Sequence, residues 1–156
     1  MTASSFEDIR HEFDKRVCRI VWCTVATVDA KGRPRSRILH PIWDGATGWI
    51  ATGRQSHKAK HLARNPFVSL SYWDPQQEQV YVDAKAQWAD GMEDKKRLWN
   101  LLADTPPPVG YDPGLFWKDV NDPGFGALRL TPWRIELWSL GEMAGGKPPA
   151  VWRVSS

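Results

Sequence analysis

A chain of 156 residues that is 12% aromatic and 25% charged has the apolar content of one folded domain, residues 1–156, which excludes an intrinsically disordered protein. It has no run of about eighteen apolar residues and no signal-peptide pattern, so we expect a cytoplasmic protein without a membrane partner. The net charge of +3 is uneven: residues 30–73 hold eight Lys or Arg and one acid, whereas residues 74–142 hold twelve acids and seven bases. This asymmetry favours a localised anion site over a nucleic-acid surface.

The N-terminal segment predicts a helix. Phe6, Ile9 and Phe13 recur at helical spacing, and Ser4 or Ser5 is a suitable N-cap. We therefore expect one amphipathic helix ahead of the first strand.

The next segment predicts a β-hairpin and a third strand. Residues 19–28 are largely apolar and β-branched, Asp29-Ala30-Lys31-Gly32 has the composition of a turn, and residues 33–43 form the returning strand. Residues 47–52 predict the third, short strand.

A second helix and two further strands are predicted in the centre of the chain. Good helix formers run from Ser56 to Arg64, and Asn65-Pro66 marks the end of this helix. The alternating segments 67–73 and 78–90 predict strands, and residues 92–104 predict a third helix.

The C-terminal third combines a long loop with two predicted strands. Residues 105–124 are rich in Pro, Gly and Asp, whereas residues 126–131 and 133–140 predict strands ahead of a Gly/Pro-rich tail. About six or seven strands with a few short helices indicate a mainly β, α+β protein, built as a closed or partly closed antiparallel barrel.

The basic segment TGRQSHKAKHLARNP, residues 52–66, gives the strongest functional signal. A helix that begins at Ser56 exposes unpaired N–H groups and the positive end of its dipole, which together hold an anion. The Ser56 hydroxyl and the side chains of His57 and Lys58 add further donors. The segment therefore predicts an anion site.

Three arginines on the preceding strand support this prediction. Arg33, Arg35 and Arg37 recur with period two and are expected on one face, and a planar guanidinium group suits phosphate. The competing interpretation is that both basic stretches are solvated surface, as charge runs commonly are.

Metal and nucleophile motifs are weak in this chain. His57 and His61 have the i, i+4 spacing of a metal-binding helix, but a lysine occupies the position of the glutamate in that motif. His40 fits either a core or a pocket position, and Cys18 and Cys23 form no paired-cysteine motif. We therefore predict no metal site and identify no catalytic acid, base or nucleophile.

The ten tryptophans are expected mostly in the core, because aromatic side chains bury large areas. Trp43 and Trp49 lie on strands next to the basic segment, and Trp138 lies on the last strand. These three are the candidates to flank a planar ligand.

The order of these pieces resembles the pyridoxamine 5'-phosphate oxidase-like family of FMN-binding split β-barrels. The resemblance covers about residues 19–140, through GRPRSRILHPIWD, GWIATGRQSHKAKHLARNPFVSLSYW, EQVYVDAKA and TPWRIELW. Its most specific part is a strand ending in Thr, then Ser-basic-Lys, then Asn-Pro-x-Val-x-Leu. The resemblance implies an antiparallel split β-barrel that binds FMN at the interface of a homodimer.

The resemblance also implies a set of phosphate-binding residues. The FMN phosphate would be held by Arg37, Ser56, His57 and Lys58. His57 stands where the family often has arginine, which implies a weaker or pH-sensitive hold on the phosphate.

Other residues are implied to lie near the flavin ring. Ile38 and Thr52 would line the ring, and Gln79 matches a glutamine that approaches the cofactor in the family. Trp138 matches a tryptophan that reaches the flavin from the second subunit. Arg35 is a further candidate, from the strand periodicity.

The C-terminal tail departs from the family pattern. Pyridoxamine phosphate oxidases carry Arg-Leu-His-Asp-Arg after the C-terminal tryptophan, whereas this chain has GEMAGGKPPAVWRV. The departure predicts that the chain does not oxidise pyridoxamine phosphate.

The leading hypothesis is an FMN-dependent oxidoreductase that transfers hydride or electrons to or from a small organic substrate. One alternative replaces FMN with the deazaflavin F420, whose anionic tail would use Lys31, Arg33, Arg54 and Lys60. A second alternative is a non-catalytic carrier or sensor of flavin or haem. A third, a nucleic-acid binder, is disfavoured by the acidic second half of the chain.

Overall fold

The computed structural model describes residues 1–155, and within them nine strands and four α-helices. The strands are β1 (Thr2–Ala3), β2 (Cys23–Val28), β3 (Pro34–Leu39), β4 (Ile42–Asp44), β5 (Thr47–Gly53), β6 (Phe67–Trp73), β7 (Glu78–Trp88), β8 (Phe125–Ser139) and β9 (Ala150–Arg153). The helices are α1 (Glu7–Ile20), α2 (His57–Arg64), α3 (Met92–Asp104) and α4 (Leu140–Ala144).

Seven of the nine strands lie side by side in one sheet, in the order β1-β9-β8-β7-β6-β2-β3. All neighbours in this order are antiparallel except β1 and β9, which are parallel. Strand β8 is shared by two parts of this sheet. Its first half pairs with β5 and its second half with β9, while its other edge follows β7. The register between β7 and β8 shifts next to Pro132, and this shift separates the two halves of β8. The predicted mainly β, α+β split barrel is confirmed.

Two short strands and one long strand differ from the prediction. The segment 33–43 breaks at His40-Pro41 into β3 and β4, because proline lacks the N–H that a continuous strand would donate. The segments 126–131 and 133–140, predicted as separate strands, form the single strand β8, which tolerates Pro132 at its bulge. The tail adds β9, which pairs with the N-terminal β1.

Helix α1 extends further at its C-terminal end than predicted, and its N-terminal end lacks the predicted serine cap. Residues 19 and 20, predicted as strand, continue the helix, which ends where Val21 adopts a positive φ of 68°. Neither serine caps the helix. Instead, the Asp8 carboxylate accepts hydrogen bonds from the backbone N–H groups of Ser4 and Ser5, both at 2.9 Å.

The core lies between α1 and the inner face of the sheet. Phe13 of α1 is fully buried and packs edge-on against Phe6 and Trp43, with ring centroids 5.5 and 5.0 Å away. A second buried cluster forms where α3 packs against the first half of β8, through Leu98, Leu102 and their neighbours. Long-range burial of this kind, more than local propensity, holds the barrel together.

The β2–β3 hairpin sets the orientation of the basic strand. Gly32, with a φ of 74°, completes the predicted turn, and Asp29 accepts hydrogen bonds from two backbone N–H groups across it. Arg35 and Arg37 pair with Thr27 and Val25, whose side chains are buried, so both arginines lie on the inner side of β3. Ile38 lies on the opposite side. This register places the arginine side chains next to α2.

Within residues 1–155, no helix has both the length and the apolar character needed to cross a membrane.

Candidate functional site

Arg37, Ser56 and Lys58 come together where β3 meets the start of α2. The Lys58 ammonium group donates to the Ser56 hydroxyl at 3.0 Å. Burial, and then the nearby Arg37 charge, lower the pKa of Lys58 below its ordinary value. Burial, and then Arg35, likewise lower the pKa of Arg37. Cations held close together and partly out of water create a strong field for an anion.

The first turn of α2 adds backbone donors to this cationic cluster of Arg37, Ser56 and Lys58. Ser56 is the N-cap residue in extended conformation, but its side chain caps no backbone group of the helix. The first turn contains no acidic residue. The N–H groups of the helix start and the positive end of its dipole therefore face the same space as the two cationic side chains.

A buried threonine connects this cluster to the middle of α2. Arg37 Nη1 donates to Thr27 Oγ1 at 2.8 Å and to the Val25 carbonyl at 3.2 Å. Thr27 Oγ1 also lies 2.8 Å from His61 Nδ1. Because Arg37 can only donate, the threonine hydroxyl is free to donate to His61, which requires an unprotonated Nδ1. Burial, and then the Arg37 charge, lower the pKa of His61, which agrees with a neutral ring.

Sequence patterns did not identify Thr27 or His61 as site residues. The spacing of His57 and His61 raises a metal site only weakly and favours a cationic helix face, and within residues 1–155 no three His, Cys, Asp or Glu side chains cluster as metal ligands would. The available signal was the hairpin register, which places Thr27 opposite Arg35 once the turn is fixed. Thr27 is 1% exposed, and its contacts position the Arg37 side chain.

Arg35 and His57 lie in an adjoining cavity of about 310 Å³, which we call the basic cavity. Asp29 contributes its only carboxylate and pairs with Arg33 at 2.9 Å and with Arg35 at 3.8 Å. Hydrogen bonds from Arg33 and then Lys31 lower the pKa of Asp29 to about 2. The cavity is lined by Asp29, Ala30, Lys31, Arg33, Arg35, His57, Lys60, His61 and Arg64.

Ile38 and Thr52 line a different cavity of about 440 Å³, which we call the aromatic cavity. Thr52 lies on β5 and is buried, whereas Ile38 is exposed on the outer side of β3. The far wall comes from the loop after α3, which the sequence patterns identified only as a loop. The cavity is lined by Trp22, Ile38, Leu39, His40, Ala51, Thr52, Gly53, Pro108, Gly110, Tyr111, Leu115, Phe116 and Trp117.

Gln79 and Trp138 lie apart from the cationic cluster. They are direct partners on β7 and β8, on the outer face of the sheet, and three strand positions separate β7 from β3. Buried Arg16 of α1 fixes this pair from behind, since its Nη1 donates to the carbonyl oxygens of Gln79 at 3.0 Å and Trp138 at 2.9 Å. Within one chain, the structure therefore brings the phosphate-binding candidates together and leaves these two residues elsewhere.

The tryptophans near the basic segment belong to the core. Trp43 packs on Phe13 and donates to the Tyr72 hydroxyl at 3.0 Å, and Trp49 is 2% exposed. Their positions do not support the interpretation that they flank a ligand, because Trp43 packs against the barrel core and Trp49 lies in the second buried cluster beside α3. Trp22 and Trp117 line the aromatic cavity instead.

Together, the fold and the cationic cluster define a split-barrel protein with a concentrated positive site at the start of α2. The sequence model of the pyridoxamine 5'-phosphate oxidase family matches residues 9–139, so the chain belongs to this family. The resemblance drawn from the sequence segments is thereby confirmed.

Curated relatives support the family assignment at moderate identity. General stress protein 26 of Bacillus subtilis is 30% identical over 124 residues, which cover 76% of this chain and 80% of that protein. The pyridoxine/pyridoxamine 5'-phosphate oxidase of Paraburkholderia xenovorans is 28% identical over 149 residues, covering 74% of this chain and 64% of the oxidase. That of Aliivibrio salmonicida is 39% identical over 75 residues, covering 47% of this chain and 36% of the oxidase. The chain thus matches less than two thirds of the length of these two oxidases.

Solved structures of low identity share the fold. A protein related to general stress protein 26 from Clostridium acetobutylicum has a TM-score of 0.73 at 15% identity, covering 95% of this chain and 96% of its own. A pyridoxamine 5'-phosphate oxidase-related, FMN-binding protein from Nostoc punctiforme has a TM-score of 0.66 at 15% identity, with coverages of 99% and 98%. An F420 reductase has a TM-score of 0.59 at 18% identity, with coverages of 78% and 94%. These similarities establish the fold.

Proposed function

We propose that this protein is an FMN-dependent oxidoreductase whose cationic cluster of Arg37, Ser56 and Lys58 binds the FMN phosphate. The observation that carries the proposal is the convergence of two partly desolvated cations, a hydroxyl and a helix N-terminus on one small volume. His57 and Arg35 lie in the adjoining basic cavity, at the edge of the cationic cluster, and would add positive charge near the phosphate. When bound, FMN supplies the redox chemistry, and this chain supplies binding, orientation and exclusion of water.

The neighbouring cavities suggest how the rest of FMN is accommodated. Ile38 follows Arg37 directly in β3, with its side chain on the opposite face of the strand, and Thr52 lies four residues before Ser56, so both positions are close along the chain to the cationic cluster. Both also line the aromatic cavity, which is wide enough for a ring system. The flavin ring would therefore extend from the cationic cluster along these two residues.

The absorption spectrum of the purified protein, and of the ligand released on denaturation, tests this proposal. FMN, F420 and haem are distinguishable in this way. Released FMN, together with reduction and reoxidation of the protein-bound flavin by a small organic substrate, would support an enzyme. Bound flavin that no substrate oxidises or reduces would favour a carrier or sensor.

We expect the protein to form a homodimer, because Gln79 and Trp138 can reach the cofactor only from a second copy. Twofold symmetry then creates two equivalent sites. We expect light scattering at micromolar concentration to give twice the chain mass of 17.8 kDa. A monomer that still bound FMN tightly would contradict this arrangement.

Mixed dimers give a sharper measurement of the same prediction. Trp138→Ala chains retain the cationic cluster, and Arg37→Ala/Lys58→Ala chains retain Trp138. Each variant alone should bind FMN weakly, whereas a mixed dimer should recover one intact site. Absence of any recovery in a verified mixed dimer would show that Trp138 and the cluster do not serve one shared site.

We expect the affinity for FMN to fall on the alkaline side, beginning below pH 10.5, the ordinary pKa of lysine. Free Lys58 has a lowered pKa, and a bound phosphate favours its charged form. Affinity is therefore full below the lowered pKa and is lost as the pH rises through it. FMN titrations at a series of pH values measure this effect. Lys58→Arg should remove the alkaline loss, because a guanidinium group does not titrate in this range.

The F420 alternative has one specific observation in its favour. Lys31, Arg33 and Lys60, three of the four residues considered for an anionic tail, line the basic cavity next to the cluster. The fourth, Arg54, is engaged elsewhere: it pairs with Asp90 at 2.8 Å and lies over the Trp88 ring. A longer anionic cofactor than FMN would use this cavity, and the released-ligand spectrum decides between the two.

A further inference from the structure

The guanidinium group of Arg37 is held along one edge and free along another. Its Nη1 donates to the Val25 carbonyl at 3.2 Å and to Thr27 Oγ1 at 2.8 Å, which uses both hydrogens of that nitrogen. Among residues 1–155, no acceptor hydrogen-bonds Nε or Nη2 of this side chain. The five N–H donors of arginine lie in one rigid plane, so an anchor on Nη1 also fixes the direction of the Nε–Nη2 edge. Such an edge binds two oxygens of a phosphate side by side.

Thr27 can anchor Arg37 because His61 takes the proton of its hydroxyl group. Arginine only donates, so Thr27 Oγ1 is the acceptor in that contact and its own proton is directed to His61 Nδ1, 2.8 Å away. Thr27 is 1% exposed, so bulk water does not replace the histidine as the acceptor. A proton on Nδ1 would leave the hydroxyl between two donors. The contact therefore requires the tautomer of His61 that carries its proton on Nε2.

The anchor of Arg37 consists of neutral groups, which leaves its positive charge available to a ligand. The hairpin carboxylate of Asp29 pairs with Arg33 and Arg35 instead, and among residues 1–155 Arg37 forms no ion pair. Lys58 and Arg35 repel the guanidinium group. A carboxylate would hold Arg37 against this repulsion but would also cancel the field that attracts an anion. Neutral oxygen acceptors orient the group without that loss.

From these contacts we infer that Thr27 and His61 are positioning residues of the phosphate site, which act through Nη1 of Arg37 to direct its Nε–Nη2 edge at the phosphate. The identity of the ligand as FMN rests on the proposed function. The positioning itself needs only a phosphate group at the cationic cluster.

A double-mutant cycle between Thr27 and Arg37, measured by FMN titration, tests this inference. Thr27→Val keeps the shape of the buried side chain and removes its hydroxyl, which should raise the Kd for FMN about tenfold because Arg37 loses an anchor. In an Arg37→Ala background the same change should leave Kd unaltered, since no guanidinium group remains to be positioned. A purely structural role of Thr27 would raise Kd equally in both backgrounds. That result, or an unchanged Kd in Thr27→Val alone, would overturn the inference.

Thr27→Ser is the matched control, because it restores the hydroxyl that valine lacks. Its Kd should stay within about threefold of the unmodified protein, although loss of a buried methyl group lowers the unfolding temperature. A Kd as high as that of Thr27→Val would show that side-chain shape, and not the hydroxyl, matters at this position, which contradicts the inference.

Variants of His61 make the same comparison at a half-buried position, where the fold is less sensitive. His61→Asn keeps an acceptor in the place of Nδ1, whereas His61→Leu removes it. We expect His61→Leu to raise the Kd for FMN about fivefold and His61→Asn to leave it nearly unchanged. His11→Leu, an exposed histidine of α1, controls for the loss of an imidazole group. Equal Kd values for the two His61 variants would contradict the role assigned to the acceptor.

Nitrogen-15 NMR of the FMN-loaded protein measures the His61 tautomer directly. Above pH 6.5, the ordinary pKa of histidine, His61 should carry its proton on Nε2 and show an Nδ1 signal typical of a hydrogen-bond acceptor. Thr27→Val should shift this Nδ1 signal by removing its donor. A proton found on Nδ1 would overturn the inference.

Repeating the cycle with inorganic phosphate and cofactor-free protein separates this inference from the proposed function. Coupling between Thr27 and Arg37 in phosphate binding, together with no binding of FMN, would support the positioning role and contradict the proposed function. Tight FMN binding without that coupling would support the proposed function and overturn the positioning role. Failure of both ligands to bind would overturn both.

Discussion

The double variant Arg37→Ala/Lys58→Ala is expected to lose most of its affinity for FMN while keeping its fold. A charge-assisted hydrogen bond to a phosphate contributes about 1.5–3 kcal/mol, so loss of both donors should raise Kd about a hundredfold to ten-thousandfold. The fold should survive because both side chains are only half-buried and mutually repulsive. The hydrogen bonds from Arg37 to Thr27 and Val25 would be lost, which we expect to lower the unfolding temperature slightly.

FMN titration followed by flavin fluorescence, with thermal unfolding as a check on the fold, measures this effect. The matched control is Arg10→Ala/Lys15→Ala, which removes the same two residue types from exposed positions on α1. The control changes the net charge equally and should keep the affinity of the unmodified protein. Equal affinities for both double variants would show that the phosphate binds elsewhere.

The FMN-loaded protein is expected not to oxidise pyridoxamine 5'-phosphate. That substrate needs a second cationic clamp for its own phosphate. In the tail, which offers only two cations, Lys147 pairs with Glu142 at 3.3 Å and Arg153 lies on the exposed end of β9. The aromatic cavity has no ionised side chain in its lining. A substrate phosphate placed there would lose its water without gaining donors, which opposes binding.

Oxygen-dependent formation of pyridoxal 5'-phosphate measures this activity. The bound FMN is quantified beforehand, and an authentic pyridoxamine phosphate oxidase is assayed in parallel, so that a negative result cannot arise from missing cofactor or a failed assay. Turnover of about one per second or more, as is typical of metabolic enzymes, would contradict the prediction and assign the oxidase activity to this chain.

Local sequence patterns predicted the parts of the site that depend on local geometry. The period of two in Arg35 and Arg37 follows from the pleat of a strand, and the structure places both on the inner side of β3. The start of α2 at Ser56 follows from the run of helix formers after Thr52-Gly53. The family resemblance then named Arg37 and Ser56, but not Arg35, as phosphate ligands, a role that the binding experiments above test.

The remainder of the site required the tertiary structure, because its residues are distant in the chain. Thr27 joins Arg37 to His61 only after the hairpin register is set and α2 packs beside β2. A pattern of alternating apolar residues marks Thr27 as buried but does not identify its partners.

The tryptophans show the same division between sequence and tertiary structure. Composition predicts that most are buried, and strand patterns do not distinguish those that fill the core from those that line a cavity. Trp43 packs against the barrel core and Trp49 packs in the second cluster beside α3, whereas Trp22 and Trp117 line a cavity that forms only when the loop after α3 folds back over β3 and β5. The sequence by itself determined the type and order of most elements and the position of the positive charge, since both are local properties. Packing between distant segments decided which side chains surround empty space.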